Sequence, residues 1–225
     1  MPTEGCTDPK RLFLIHTVPG LIPILDPLAA RALPGWERVN MVDESLLKNT
    51  IRAGSLSQTT MRRLLSVIWS AVDAGAQAVL VTCSSLGPAV EAARPFCPVP
   101  LVRIDTGMAL AAVAGHARIG VLATLPSTLT PTTDLIRATA QETGAEDCTI
   151  ESQLCAGAFE CLAQGDTEGH DQMVAEAIAA MATKVDVIVL AQASMARAAA
   201  RIQAPVPILT SPEPGIAHLA RVLAA

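Results

Sequence analysis

The sequence is poor in aromatic residues: tyrosine is absent, and tryptophan and phenylalanine together make up 2% of it. Stacking platforms for nucleotide bases are therefore missing. A net charge of −5 without any basic cluster also removes the electrostatic footprint of a nucleic-acid binder. Metal-site spacing is lacking too, because no Cys-x-x-Cys occurs among the six cysteines and the four histidines (His16, His116, His170, His218) are scattered. No uninterrupted apolar run approaches the ~20 residues that cross a bilayer, although the hydrophobic fraction is 51%. The first residues, Met1 to Cys6, show no charged leader followed by an apolar stretch. These absences predict a cytoplasmic protein with no nucleic-acid, membrane or metal partner, whose cysteines are reduced thiols. Small-molecule binding is favoured, and the apolar surplus leaves room for a homo-oligomer.

What is present is a regular alternation of short apolar runs with Ala-rich segments, the pattern of α/β folds with mainly parallel sheets. Residues 11–16, 36–42, 77–82, 99–104, 118–123, 148–154, 185–190 and 206–210 read as strands. Residues 21–33, 58–74, 86–94, 106–115, 128–142, 156–163, 168–182, 193–202 and 213–223 read as helices, with Thr59 or Thr60 and Asp166 or Thr167 as starts. Segments 17–23, 43–57 and 125–130 read as loops that set specificity.

The chain also repeats itself. Arg11 to Pro19 matches Arg118 to Pro126, Val79 to Ser85 matches Ile188 to Ser194, and Val99-Pro100-Leu101 matches Val206-Pro207-Ile208, at offsets of 107 to 109 residues. Thr17 thereby pairs with Thr124, and Cys83 with Gln192. Three matches in one order predict two pseudosymmetric, mainly parallel open-sheet domains with the site in the cleft between them. The first comprises residues 1–106 with 211–225 and carries Cys83; the second comprises 107–210 and carries Gln192.

Cys83 ends the apolar run Ala78 to Val81 and is followed by Ser84 and Ser85. The carboxyl edge of an open α/β sheet is where ligands bind, and small hydroxyl neighbours leave space and offer donors to an anion. Cysteine is also a common core filler, so position is what marks this one as the candidate catalytic residue. A thiol acts as base or nucleophile only as thiolate, and the helix start at Leu86-Gly87-Pro88 is expected to lower its pKa.

These residues, together with Gly-Val-Leu-Ala-Thr-Leu-Pro-Ser-Thr at 120–128 and Val-Ile-Val-Leu-Ala-Gln-Ala-Ser-Met at 187–195, resemble the aspartate/glutamate/hydantoin racemase superfamily, which also holds maleate isomerase and arylmalonate decarboxylase. The resemblance covers nearly the whole chain. It implies a substrate held between the two halves, a small carboxylate or amino-acid-like compound, and chemistry without metal or organic cofactor. In the racemases, one cysteine from each half faces the α-carbon, one removing a proton and the other delivering one. Cys83 matches the first cysteine. The second position, Gly-Cys in the pattern, reads Ala191-Gln192, and glutamine neither gives nor takes a proton at neutral pH.

Proton transfer beside a carboxylate builds charge that preorganised donors must stabilise. Thr17, Ser84, Ser85, Thr124, Ser127 and Thr128 stand at strand ends or in the turns after them, with helix capping as the alternative role for each. Gln192 joins them as a substrate-binding candidate. His16, matched by Ala123 in the repeat, either orients substrate or carries a proton, or is structural. Glu44 and Asp105 line the cleft or cap helices. Cys155 is the alternative occupant of the missing thiol role, whereas Cys161 reads as a helix-face residue and Cys97 and Cys6 as structural or incidental. Three functions stay open: isomerase or racemase, one-sided decarboxylase or C–C lyase, and a non-catalytic carboxylate-binding protein.

Overall fold

The computed structural model describes residues 9–225; Cys6 lies outside the described residues. Among the described residues, eight strands form two four-stranded parallel sheets. The first contains β1 (Lys10–His16), β2 (Trp36–Val42), β3 (Ala78–Val81) and β4 (Leu101–Arg103), in the order β2-β1-β3-β4. The second contains β5 (Arg118–Ala123), β6 (Thr149–Leu154), β7 (Val187–Leu190) and β8 (Ile208–Leu209), in the order β6-β5-β7-β8. Every pairing is parallel and the second order repeats the first, which is the architecture expected from the internal matches. β4 and β8 are shorter than the pattern predicts. Pro100 and Pro207 stand immediately before them and contribute no N–H to a ladder.

Helices cover both faces of each sheet, so the central strands are apolar on both sides. Alternation within one strand divides its side chains between two cores. Phe13 and Ile15 pack with Leu64, Ile68, Ala89 and Val90 of α3 (Gln58–Asp73) and α4 (Gly87–Ala93). Leu12 and Leu14 pack on the other face with Leu25 and Ala29 of α1 (Ile22–Ala32). In the second sheet, Ile188 and Leu190 face Val174 and Ile178 of α8 (Thr167–Met181). Val187 and Val189 face Ile136 and Ala140 of α6 (Pro126–Thr143).

The segment read as a loop at 43–57 is largely a helix, α2 (Glu44–Ala53). Asp43 caps it by accepting the Ser45 N–H at 3.0 Å, and Gly54, at φ 69°, ends it in the left-handed region. Only Leu46 and Thr50 are fully buried on it, a stripe too narrow for periodicity to reveal among Lys48, Asn49 and Arg52. The start expected at Thr59 or Thr60 lies earlier, at Ser57, which accepts the Thr60 N–H at the head of α3, whereas Asp166 caps α8 as expected by accepting the Gly169 N–H.

The last helix after each sheet packs on the other sheet. α5 (Thr106–Val113) follows β4 but puts Met108, Ala109 and Ala112 into the second core. α10 (Pro212–Ala224) follows β8 but puts Ile216 and Leu219 against Leu12 and Leu14. The two helices meet through glycine. A Cβ on Gly107 would stand 2.0 Å from the Pro214 carbonyl oxygen, and one on Gly215 would stand 2.0 Å from that of Ile104.

Candidate functional site

In a sheet ordered β2-β1-β3-β4, the crevice opens beyond the carboxyl ends of β1 and β3, where successive connections leave in opposite directions. Thr17 and Cys83 occupy those ends in the first sheet. Thr124 and Gln192 occupy the equivalent ends, after β5 and β7, in the second. Between them lies a cavity of about 500 Å³. Its polar wall from the first sheet is Thr17, Thr82, Cys83, Ser84 and Ser85; the second contributes Thr128, Gln192, Ser194 and Arg197. The remainder is largely apolar, including Leu21 and Ile24 from the first half, Leu47 on α2, and Phe159 and Leu162 on α7 (Ala158–Ala163).

Cys83 is only half-buried as a residue, but its thiol is enclosed. Burial pushes the thiol above its ordinary range, with the Asp105 carboxylate adding to the push. The Thr17 hydroxyl and the Ser85 and Leu86 backbone N–H groups favour the thiolate and are outweighed. The expected lowering by the following helix is thus corrected, because desolvation exceeds what Thr17 and the two backbone amides return.

The repeat-related position is built differently. Gln192 accepts the Thr124 N–H on Oε1 at 2.6 Å and donates from Nε2 to Thr124 Oγ1 at 2.9 Å. Threonine therefore partners the strand-end residue in both halves: Thr17 with a thiol, Thr124 with an amide tied at both ends. Across the cleft, Ser85 Oγ and Thr128 Oγ1 lie 2.8 Å apart and both are buried.

The structure brings Thr17, Cys83, Ser84, Ser85, Thr128 and Gln192 to one cavity wall, but not His16, Thr124 or Ser127. His16 is fully buried at the end of β1, between the two neighbouring strands, its Nδ1 3.0 Å from Thr82 Oγ1 and its Nε2 2.8 Å from Asn40 Oδ1. Burial lowers its pKa, against the Asn40 hydrogen bond and the Asp26 charge. Asn40 donates its amide to Asp26 at 3.2 Å. That leaves Asn40 Oδ1 toward the imidazole, so neutral His16 donates from Nε2 and braces Thr82 with Nδ1. Thr124 serves Gln192. Ser127 lines a neighbouring pocket of about 410 Å³ that shares Leu125 and Phe159 with the main cavity.

The other candidates also find places. Cys155 lies in the second core, not on the cavity wall, and burial pushes its thiol up to about 11. It cannot stand in for the missing thiol from there. Cys161 Sγ is 4.0 Å from Met173 Sδ. Glu44 pairs with Lys48 on the surface of α2 at 3.3 Å. Asp105 is fully buried and accepts both Nε and Nη2 of Arg103, at 2.9 and 2.8 Å. Among the described residues, no group of three His, Cys, Asp or Glu side chains is placed to hold a metal ion. No described helix is long and apolar enough to cross a membrane.

Arg197 escapes a sequence reading. It stands in α9 (Ala196–Ala199), inside an Ala-rich stretch five residues beyond Gln192, and a lone charge in such a stretch reads as solvated. Ser194 was open to detection, since it is the repeat partner of Ser85.

A duplicated parallel α/β fold with a thiol and several hydroxyl groups on the wall of a cavity between its two sheets defines the class of fold. Residues 23–219 match the family model described as Asp/Glu/Hydantoin racemase, and the chain belongs to that family. The fold is similar to that of glutamate racemase isoform RacE1 from Bacillus anthracis, at TM-score 0.72 and 18% identity over 96% of this chain and 82% of that one. Allantoin racemase from Klebsiella pneumoniae gives 0.66 and 19% over 96% and 87%. An aspartate racemase homologue from Pyrococcus horikoshii gives 0.65 and 14% over 96% and 100%. No curated protein matches the sequence at a significant level. Family membership supports an isomerase or racemase type of function.

Proposed function

We propose that this protein is a cofactor-independent, isomerase- or racemase-type enzyme that transfers a proton at a carbon next to the carboxylate or carbonyl of a small acid, with Cys83 as the acid–base group. The observation that carries this reading is the position of Cys83, at the switch point of its sheet and on the wall of the cleft cavity. In the step envisaged, the Cys83 thiolate takes the proton and becomes a thiol as the C–H bond electrons pass into the adjoining carboxylate. Charge on those oxygens is met by hydroxyl groups drawn from Thr17, Ser84, Ser85 and Thr128, in a largely apolar site where such contacts are strong. Return of a proton to carbon, with the electron pair moving back, completes the exchange.

Two observations favour a second reading, one-sided decarboxylation or C–C cleavage. Gln192 offers no proton on the far side and is held by Thr124 at both ends of its amide. The raised pKa of Cys83 favours its thiol form, suited to protonating a carbanion left by departing CO2. Turnover of candidate acids in deuterated water separates the two readings. Racemisation places deuterium at the α-carbon of both enantiomers, and one-sided protonation yields a single labelled enantiomer. Cys83→Ala is expected to abolish either reaction, and full turnover by that variant would overturn the proposal.

A further inference from the structure

Strand alternation brings a buried ion pair to the side of Cys83. β3 and β4 run in parallel with Val81 opposite Arg103, and the Ile104 N–H donates to the Val81 carbonyl at 3.1 Å. Side chains return to one face of a sheet every second residue. Val79, Val81 and Cys83 share the first core with Leu101 of β4, so Arg103 falls on that face as well. Asp105 stays on it through Arg103, whose Nε and Nη2 donate to its two carboxylate oxygens at 2.9 and 2.8 Å. Two residues beyond the Val81–Arg103 pair, on adjoining chains, stand Cys83 and Asp105.

The pair has a direction. Asp105 is fully buried and Arg103 only 4% exposed, but Arg103 Nη1 reaches outward to Glu91 of α4 at 3.6 Å, and Glu91 is half-exposed and pairs with Arg94. The carboxylate end therefore points to the thiol and the cationic end to the surface. A Cβ on Gly87 would run into the guanidinium, so glycine at the head of α4 lets Arg103 lie against the turn that follows Cys83. Stability alone does not account for this arrangement, because the cost of desolvating a buried ion pair offsets most of its attraction. The other charged groups nearby are engaged elsewhere. His16 is bound to Asn40 and Thr82, and its burial disfavours the imidazolium. Asp43 and Asp26 pair with Arg63 and Arg38, and Arg197, on the second half's wall of the cavity, is held by Asp171. Asp105 is thus the charge that acts on the thiol, and it works against the thiolate.

We propose that Asp105 is a positioning residue for the proton transfer at Cys83: its buried carboxylate, anchored by Arg103 beside the strand end, holds Cys83 as the proton donor in the resting enzyme. The inference rests on the reading of Cys83 as the acid–base group. A negative neighbour makes the thiolate rarer and, once formed, a stronger base, which favours return of the proton to Cys83 after each cycle.

The pH profile of Cys83 modification by iodoacetamide, followed by peptide mass mapping on the whole protein, tests it. Asp105→Asn removes the charge and keeps the shape, and Glu91 remains as a partner for Arg103. The midpoint of the profile is expected to fall by about one pH unit, with amide hydrogen exchange across residues 84–90 unchanged. An unmoved or higher midpoint overturns the proposal. So does a lower midpoint with faster exchange in that segment, because lost burial then accounts for the shift. Should Asp105→Asn not fold, the double variant Arg103→Met/Asp105→Asn decides, since it leaves neither charge buried alone. A midpoint below that of the wild type, with unchanged exchange, then supports the role, and any other result overturns it. Alkylation needs no turnover, so the two proposals fail separately. Cys83-dependent deuterium incorporation into a candidate acid with an unmoved midpoint removes only the role of Asp105. A lowered midpoint with no such incorporation removes the catalytic reading and leaves the effect of the charge on the thiol standing.

Discussion

At the residue scale, the decisive quantity is how burial sets the chemistry of Cys83. A thiol at a strand's carboxyl end, followed by a helix start, has two opposed influences on its ionisation. Exposed amides lower its pKa and desolvation raises it. Here desolvation prevails, with Asp105 on the same side of the balance. Alkylation requires thiolate, so iodoacetamide should modify Cys83 slowly at neutral pH. Its rate, followed by peptide mass mapping, should climb through a midpoint above the ~8.5 of a free thiol. A midpoint at or below that value would mean that the amides and Thr17 dominate. The positions of Thr17, Ser84, Ser85, Thr128 and Gln192 on the cavity wall were legible from strand ends and the repeat. The orientation of His16 was not: the imidazole of a strand's last residue either faces the crevice or turns to its neighbouring strands, and Asn40 and Thr82 hold it between them.

At the element scale, strands were more legible than helices. Buried parallel strands are continuous apolar runs, and all eight stood out. α2 did not, because it lies over the cavity with few fully buried residues and looks like a polar loop. The contact between α5 and α10 was equally hidden, since a glycine in a helix reads only as a mild helix weakener until the neighbouring backbone is known. Its consequence is specific. Gly107→Ala places a methyl group within 2.0 Å of the Pro214 carbonyl oxygen. The helices must separate, at a cost of about 3 kcal/mol by analogy with overpacked cores. Urea unfolding of Gly107→Ala and Gly215→Ala should show losses of that order. A change within about 0.5 kcal/mol, the range of an unremarkable surface substitution, would mean that the crossing can open freely.

At the scale of the whole molecule, the two halves are joined by exchanged helices and by contacts across the cleft. The Ser85–Thr128 hydroxyl pair, buried at 2.8 Å, is such a contact. A double-mutant cycle of Ser85→Ala and Thr128→Ala, read by urea unfolding, should give a coupling energy of about 1 kcal/mol. Strict additivity would show that the halves do not depend on this bond. Equivalent strand ends deliver equivalent positions to one cavity, so the thiol of Cys83 and the tied amide of Gln192 give its two faces different chemistry on one scaffold.

The sequence by itself determined the two parallel sheets, their equivalence and the placing of Cys83 opposite Gln192. Those features follow from short-range patterns, an apolar run ended by small polar residues and repeated once, and such patterns survive without knowledge of neighbours. The tertiary structure alone decided that Arg197 faces the cavity, that Cys155 is core, that His16 braces Thr82 and that the Cys83 thiol is harder to ionise than a free one. Each of these depends on which distant side chains exclude water from a group or turn it by hydrogen bonding, and those distances are set only when the halves pack together.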